Sequence, residues 1–137
     1  MLAIRGGTVV TVDPLHTVGV RDILVDADGR ISAVEEPGQS PAARLTTIDA
    51  TGLVVVPGLV QAHLHLCQTL FRGLAEALPL LAWLRERIWP LEAAHDPASL
   101  RASARLSIAE LLLGGTTSIL DMGTVHHTDV LLSLIHI

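Results

Sequence analysis

The sequence predicts an α/β fold in which a β-rich segment precedes a parallel β–α–β arrangement. Three observations support this prediction. Residues 1–56 contain short runs of β-branched residues separated by turn sequences, a pattern typical of β-strands. Near-continuous apolar runs begin at Leu53, as in strands that are buried on both faces. Two helical patterns and a further strand pattern follow, and such a unit normally joins parallel strands.

The first segment is predicted to contain three or four short strands. They cover residues 3–12, 23–26, 30–34 and, as a possible fourth strand, 47–50. The sequence from Asp26 to Gly29 supplies a turn between the second and third strands, since Gly29 can adopt a positive φ. Residues 36–43 form a loop by composition. Because so few strands make only part of a sheet, its edges need partners.

The second segment starts at Pro57 with a buried strand, LVQAHLHL. A first helix is predicted over residues 78–91, because apolar residues recur there at helical spacing, and Pro90 is expected to end or kink it. The run TTSILDM at residues 116–122 is predicted to form the strand that closes the unit.

The second predicted helix has clear boundaries. Asp96 is expected to be its N-cap, and Pro97 occupies the first helical position. Gly114 and Gly115 are expected to end it. Its predicted apolar stripe consists of Leu100, Ala104, Ile108, Leu111 and Leu112.

Composition argues against several classes of function. The chain has 137 residues, half of them apolar, and a formal net charge of −5 with scattered basic residues. No basic run suggests a nucleic-acid or membrane-binding face. No secretory signal is recognisable, and no run reaches the roughly 20 apolar residues of a membrane span. Cys67 is the only cysteine, which is compatible with a reducing compartment. A cytoplasmic protein is expected.

His63 and His65 are the main candidates for a functional site. Residues i and i+2 of a strand project to the same face, so the two imidazoles should lie side by side, with Leu64 and Leu66 packed on the other face. Neutral imidazole is a good ligand for Zn, Fe, Ni or Cu. Two structural histidines are the alternative. The apolar strand before the pair and the polar residues directly after it favour metal ligation.

The sequence PGLVQAHLHL resembles the first barrel strand of the amidohydrolase superfamily, whose signature is Pro-Gly, two hydrophobic residues, two further residues and His-x-His. The run QTLFRGLAEALPLLAWLRERIWPLE resembles the branch of S-adenosylhomocysteine/methylthioadenosine deaminases, which has guanine-type deaminases and triazine hydrolases as relatives. The resemblance covers about residues 1–131. It implies a metal-dependent (β/α)8 TIM barrel preceded by part of a small β-sandwich.

The resemblance also implies a domain plan. Residues 1–56 would be the N-terminal part of the sandwich, and residues 57–131 the first βαβ portion of the barrel. A barrel of this type needs about 250 residues, so we expect the chain to be part of a longer enzyme, inactive and poorly stable by itself. Residues 132–137, LSLIHI, resemble a translated sequencing adapter. They are expected to be a non-native tail, and a genuine hydrophobic strand is the alternative.

Site residues follow from the same resemblance. His63 and His65 would bind one divalent metal ion, zinc as the first expectation and iron as the alternative, which activates a water. Glu92, in WPLE, matches a glutamate that accepts hydrogen bonds from ribose hydroxyls, and a solvated helix-end glutamate is the alternative. The other metal ligands and the acid/base residues of the family have no counterpart here, so no catalytic residue is assigned.

The function implied is hydrolytic deamination of an aminated purine or adenosine-type nucleoside, at a C–N bond that is not a peptide bond. The expected partner is this small molecule, with no nucleic acid and no membrane, and the complete protein is compatible with a homodimer. Triazine chlorohydrolase or cyclic amidase activity is an alternative, because the metal pair serves all these reactions. A non-catalytic interaction module is the third hypothesis.

Other polar and aromatic residues are given supporting roles. Cys67 is expected to be a buried free thiol, Arg72 an anchor for its loop, and Asp121 a structural hydrogen-bond acceptor. Trp83 and Trp89 are expected to pack in or beside the lid of the pocket.

Overall fold

The computed structural model describes residues 1–39, 45–74 and 77–135. The chain separates into two compact units, Met1–Pro57 and Gly58–Ile137. Part of the loop predicted over residues 36–43 and the last two residues of the tail predicted over residues 132–137 lie outside the described residues. Within those residues, no helix combines the length and the apolar character needed to cross a membrane.

In its described residues, the first unit forms a five-stranded sheet built around its first strand. The strands are β1 (Leu2–Val10), β2 (Val18–Val25), β3 (Ile31–Glu35), β4 (Thr46–Asp49) and β5 (Val54–Val55). β2 pairs antiparallel with β1 and with β3, whereas β4 and β5 both run parallel to β1. The predicted strands are present, but β2 begins at Val18 rather than at residue 23, because antiparallel pairing with β1 extends it.

A turn and a bulge shape this sheet. In the predicted turn between β2 and β3, Asp26 Oδ1 accepts a hydrogen bond from the N–H of Arg30 at 2.9 Å, and Gly29 has a φ of 77°. The pairing of β1 with β2 shifts register around Gly6, which has a φ of 68°. The N–H of Gly6 donates instead to Asp22 Oδ1 at 2.9 Å. The bulge therefore orients the backbone N–H of Gly6 toward the carboxylate of Asp22.

Asp22 is the buried carboxylate of the first unit, with only 2% of its surface exposed. Besides the bond from Gly6, its Oδ2 accepts from the Arg5 guanidinium at 2.7 Å and from the N–H of Gly38 at 3.0 Å. Hydrogen bonds from Gly38, Gly6 and Arg5 hold the pKa of Asp22 below its usual value, although burial opposes them. Asp22 thus fastens the segment after β3 to the centre of the sheet.

The second unit is a parallel β–α–β arrangement, as predicted. Strands β6 (Leu59–Leu64) and β7 (Thr116–Asp121) pair in parallel. The other elements are a 3₁₀ helix (Leu66–Phe71), α1 (Leu80–Trp83), a π-helical turn (Leu84–Ile88), α2 (Trp89–Ala93), α3 (Pro97–Leu113) and α4 (Thr128–Ile135).

α3 begins and ends where the sequence predicts. The N–H of Ser99 donates to Asp96 Oδ1 at 2.7 Å, and the N–H of Asp96 donates to Ser99 Oγ at 3.1 Å, which completes a capping box. The backbone hydrogen bond from Ser99 lowers the pKa of Asp96. At the other end, Gly114 is the C-cap and Gly115 has a φ of 84°, a conformation that suits glycine.

The core of the second unit involves α3, α4 and the 3₁₀ helix. Its buried members are Leu66, Cys67, Leu100, Ala104, Val130 and Leu131. Ile108 and Leu111 pack against them, but Leu112 is 62% exposed, so its place in the predicted stripe is wrong. Successive residues of an α-helix point about 100° apart. Because Leu111 packs against the core, the side chain of Leu112, rotated by about 100° from it, is left largely exposed.

The helical segment before α3 continues past Pro90. The π-helical turn precedes α2, and the N–H of Trp89 donates to the carbonyl oxygen of Leu84, five residues earlier. Proline in a regular α-helix lacks a donor and its ring clashes with the preceding turn. A π-helical turn just before Pro90 changes this hydrogen-bond pattern. Pro90 therefore does not end the helix, since the chain stays helical to Ala93, and the kink that was the other expectation stays a prediction.

β6 and α4 differ from the sequence predictions. β6 was expected to be buried on both faces, but Val60 is 72% exposed, because β7 is its only strand partner among the described residues. Residues 132–135 belong to α4, where Leu134 and Ile135 pack against the core. The alternative of a strand for this segment is therefore wrong.

Candidate active site

The two histidines of the predicted metal pair lie next to each other at the end of β6. The ring centroids of His63 and His65 are 5.4 Å apart, with their planes at 70°. β6 ends at Leu64, but His65 keeps an extended backbone (φ −133°, ψ 99°) as the N-cap of the 3₁₀ helix. The i, i+2 relationship of a strand therefore extends through His65, and Leu66 is buried in the core.

His65 has the property expected of a metal ligand. Its Nδ1 atom is buried and has no hydrogen-bond partner among the described residues. A buried polar atom left unpaired costs about 1–3 kcal/mol, and coordination of a cation would offset that cost. Two imidazoles on one rigid strand end are a donor set that suits a divalent transition metal. The residues present thus fit such an ion.

Side chains from two other elements fix the backbone directly after His65. Asp121, at the end of β7, accepts a hydrogen bond from the N–H of Leu66 at 2.9 Å. Ser103, in α3, donates its hydroxyl to the carbonyl oxygen of Leu66 at 2.9 Å. The structural role predicted for Asp121 is confirmed by this contact. The first bond holds the peptide between His65 and Leu66, and the second holds the next peptide, so together they restrict the backbone that orients the His65 ring.

His95 makes a third contact with the backbone that follows His65, and the sequence did not predict it. It is 7% exposed, and its Nε2–H donates to the carbonyl oxygen of Cys67 at 2.8 Å. Its Nδ1 lies 3.0 Å from Ser99 Oγ, and its ring stacks on Phe71 with centroids 5.0 Å apart. The available sequence signal was weak: a histidine directly before a helix N-cap.

A cavity of about 290 Å³ opens beside His65. Its walls come from the strand end, from the helical segment with the π-helical turn, and from residues 122–125 after β7. Residues in its lining include His65, Gln68, Trp83, Trp89 and Glu92. Both tryptophans expected near a pocket thus line this cavity. His65 and Glu92 thus line the same cavity, whereas His63 is exposed and is not part of this lining.

Glu92 is 6% exposed, so the alternative of a solvated helix-end glutamate is wrong. Gln68 donates its side-chain N–H to Glu92 Oε1 at 2.8 Å, and the Cys67 thiol lies 3.4 Å from the same oxygen. Among the residues that the structure describes, no hydrogen bond reaches Oε2. This oxygen is therefore available to a molecule in the cavity.

Cys67 is a buried free thiol, as predicted. Burial, followed by the negative charge of Glu92, raises the pKa of Cys67 to about 12. One ligand atom each from His65, Cys67 and Glu92 lies within 4.8 Å of the others, a spacing that could hold a cation. The protein environment keeps the thiol protonated and so opposes the thiolate that a soft metal requires. The histidine pair remains the better donor set.

Arg72 anchors the loop after the 3₁₀ helix, as predicted. Its Nη1 donates to Glu110 Oε1 of α3 at 2.9 Å, and its Nη2 donates to the other carboxylate oxygen. This hydrogen-bonded pair lowers the pKa of Glu110 and raises that of Arg72. Both side chains are exposed, and the contact lies outside the lining of the cavity.

Comparison with known proteins identifies close relatives of this chain. Residues 54–136 match the amidohydrolase family. A 5-methylthioadenosine/S-adenosylhomocysteine deaminase from Natronomonas pharaonis is 47% identical over 122 residues, covering 88% of this chain and 27% of the relative. A 5'-deoxyadenosine deaminase from Methanopyrus kandleri is 43% identical over 125 residues, covering 88% of this chain and 28% of the relative.

A solved structure is also similar. The atrazine chlorohydrolase from Arthrobacter aurescens TC1, in complex with zinc, superposes with a TM-score of 0.77 at 32% identity, covering 88% of this chain and 28% of that protein. The chain therefore spans less than a third of the length of each of these relatives.

Proposed function

This chain belongs to the amidohydrolase family, and we propose that it is the N-terminal part of a metal-dependent hydrolase that deaminates an adenosine-type nucleoside. The first unit would be part of a β-sandwich, and the second the first βαβ portion of a (β/α)8 barrel. We assign the acid/base residues and the other metal ligands to sequence outside this chain, which spans 27% of its deaminase relative from N. pharaonis. The chain alone would be inactive.

His63 and His65 would hold the metal ion in this proposal. Support comes from their adjacent rings and from the buried, unpaired Nδ1 of His65. Zinc is our first choice, because a similar chlorohydrolase was solved with zinc, and iron is the second. When bound, such an ion supplies a Lewis acid that makes water nucleophilic near neutral pH.

Glu92 would recognise the sugar. The observation that carries this assignment is its burial beside the cavity with Oε1 already hydrogen-bonded and Oε2 available. An ionised carboxylate only accepts hydrogen bonds, which suits hydroxyl donors and does not suit a phosphate. Trp83 and Trp89 add aromatic surface to the cavity lining, and such surface favours a planar purine ring.

A direct assay would test this function. The complete protein, meaning the product of the whole reading frame that encodes these residues, would be incubated with 5′-methylthioadenosine, S-adenosylhomocysteine, 5′-deoxyadenosine, guanine and atrazine. We expect ammonia release from the nucleosides with the highest kcat/KM. Turnover confined to guanine or to the triazine would contradict the nucleoside assignment.

Triazine hydrolysis is the second candidate, favoured by the similarity to the atrazine chlorohydrolase. The same assay separates the two, because chloride rather than ammonia would be released from atrazine. A non-catalytic interaction module is the remaining alternative. A complete protein that is fully folded and free of metal would favour the module.

We further propose that the complete protein is cytoplasmic and that its partner is the small-molecule substrate; a homodimer is compatible with this proposal. Neither nucleic acid nor membrane is part of the proposal. The acidic composition, with a formal charge of −5, supports the exclusion of a nucleic-acid partner.

A further inference from the structure

We propose that Gln68 is a positioning residue for sugar recognition. Its amide occupies Oε1 of Glu92 and thereby presents Oε2 of the same carboxylate to substrate hydroxyls. This inference rests on the proposed function, in which Glu92 binds the sugar of a nucleoside. It assigns Gln68 a role that acts through Glu92 rather than through contact with the reacting atoms.

The 3₁₀ helix places Gln68 on the side of the metal pair. The N–H of Gln68 donates to the carbonyl oxygen of His65 at 3.2 Å, so the two residues stand three apart in one tight turn. Side chains at i and i+3 eclipse each other in 3₁₀ geometry. Accordingly, His65 and Gln68 line the same cavity, in which Glu92 also lies.

Gln68 is the stronger of the two donors to Glu92. Its amide N–H lies 2.8 Å from Oε1, a charge-assisted hydrogen bond when the carboxylate is ionised. The Cys67 thiol is a weak donor at 3.4 Å, and its single proton is shared with the carbonyl oxygen of Gly123 at 3.3 Å. Within the described part of the chain, Gln68 is thus the main constraint on the rotation of the Glu92 carboxylate.

The two carboxylate oxygens of Glu92 therefore have different roles. Each oxygen of an ionised carboxylate can accept about two hydrogen bonds. With Oε1 taken by Gln68 and Cys67, the remaining acceptor capacity lies on Oε2. Both hydroxyls of a vicinal diol can converge on that oxygen. Without the amide, the carboxylate would lose the orientation that makes this convergence possible.

The test is Gln68→Met in the complete protein, because methionine keeps the length of the side chain and removes the amide. Steady-state kinetics would compare 5′-methylthioadenosine with its 2′,3′-dideoxy counterpart. We expect kcat/KM for the ribonucleoside to fall by about tenfold, which corresponds to about 1.4 kcal/mol. The loss should lie mainly in KM, while the dideoxy compound loses about twofold or less, since it offers no hydroxyls to Oε2.

Three controls keep this result interpretable. Gln39→Met, at an exposed glutamine of the first unit outside the cavity lining, should leave both substrates unaffected. Gln68→Asn keeps an amide at shorter reach and should reproduce the substrate-dependent loss if Gln68→Met folds poorly. In a Glu92→Gln background, Gln68→Met should add little further loss, because both changes act on one interaction.

Each other outcome overturns the inference. Equal losses for both substrates would mean that Gln68 contacts the base or the reacting centre. No loss for the ribonucleoside would mean that Glu92 keeps its orientation without the amide. If the unmodified protein deaminates no nucleoside, the proposed function itself fails, and that result is seen before any variant is made.

Discussion

The imidazole of His95 donates a hydrogen bond to the carbonyl oxygen of Cys67, with Nε2 and the oxygen 2.8 Å apart. His95 directly precedes the N-cap of α3, whereas Cys67 lies between His65 and Gln68. This contact therefore couples the start of a long helix to the backbone that carries both candidate site residues. It is buried, so water cannot readily replace it.

Replacing His95 with alanine should destabilise the second unit. The change leaves the buried Cys67 carbonyl without its donor and removes the stacking partner of Phe71. We expect a loss of about 1–3 kcal/mol in the free energy of unfolding, measured by urea denaturation of the complete protein. The matched control is His126→Ala, at an exposed histidine, which should be nearly neutral. Equal stability of the two variants would rule out a structural role for His95.

Asp22→Asn should destabilise the first unit in a pH-dependent way. Hydrogen bonds from Gly38, Gly6 and Arg5 lower the pKa of folded Asp22, whereas the unfolded chain has a value of about 3.9. The carboxylate therefore stabilises the fold fully above about pH 3.9, and this contribution is lost as the pH falls through the lower folded value.

At pH 7 we expect the Asp22→Asn substitution to cost about 1–3 kcal/mol, since an amide cannot accept from every donor around it. Urea unfolding at pH 7, 5 and 3.5 would show the gap between the variant and the unmodified protein narrowing at the lowest pH. Asp28→Asn, in the exposed turn after β2, is the control and should show little difference. A gap that widens on acidification would contradict the lowered pKa.

Gly58→Ala should destabilise the pairing of β6 with β7. A Cβ atom on Gly58 would lie 2.0 Å from Thr117 Oγ1 and 2.7 Å from its Cβ. We expect a loss of about 1–3 kcal/mol from this overpacking, read from the thermal midpoint. Thr117→Ala in the same protein should recover part of the loss, because it removes the nearest contacts. By contrast, Gly19→Ala meets only the flexible end of Arg21 at 3.3 Å and should be tolerated; an equal effect of both alanines would refute the steric explanation.

Local signals made some of the fold predictable. The capping box at Asp96 and the glycines after α3 depend on neighbouring residues, and the sequence placed both ends of this helix correctly. The π-helical turn before Pro90 was not predictable, because nothing in the local pattern distinguishes it from an α-helix. The exposure of Val60 was also missed. The apolar sequence of β6 suits a strand with neighbours on both sides, but among the described residues only β7 pairs with it.

The candidate site was also predictable from the sequence only in part. The i, i+2 spacing predicted that His63 and His65 would lie side by side, and their rings are adjacent. Glu92 was chosen as a candidate only because of the family resemblance. Its burial depends on packing that no short motif encodes. Gln68 and His95 were assigned no role, because their partners lie 24 and 28 positions away along the chain.

The central claim is that His63 and His65 hold a divalent metal ion. Its most direct test is the metal content of the purified complete protein, measured by inductively coupled plasma mass spectrometry, for the unmodified protein and for the variant with both histidines changed to alanine. His126→Ala serves as the control. We expect about one equivalent of zinc or iron in the unmodified protein and the control, and less than about a tenth of that in the double variant. A double variant that is folded and still carries a full equivalent of metal would contradict the account.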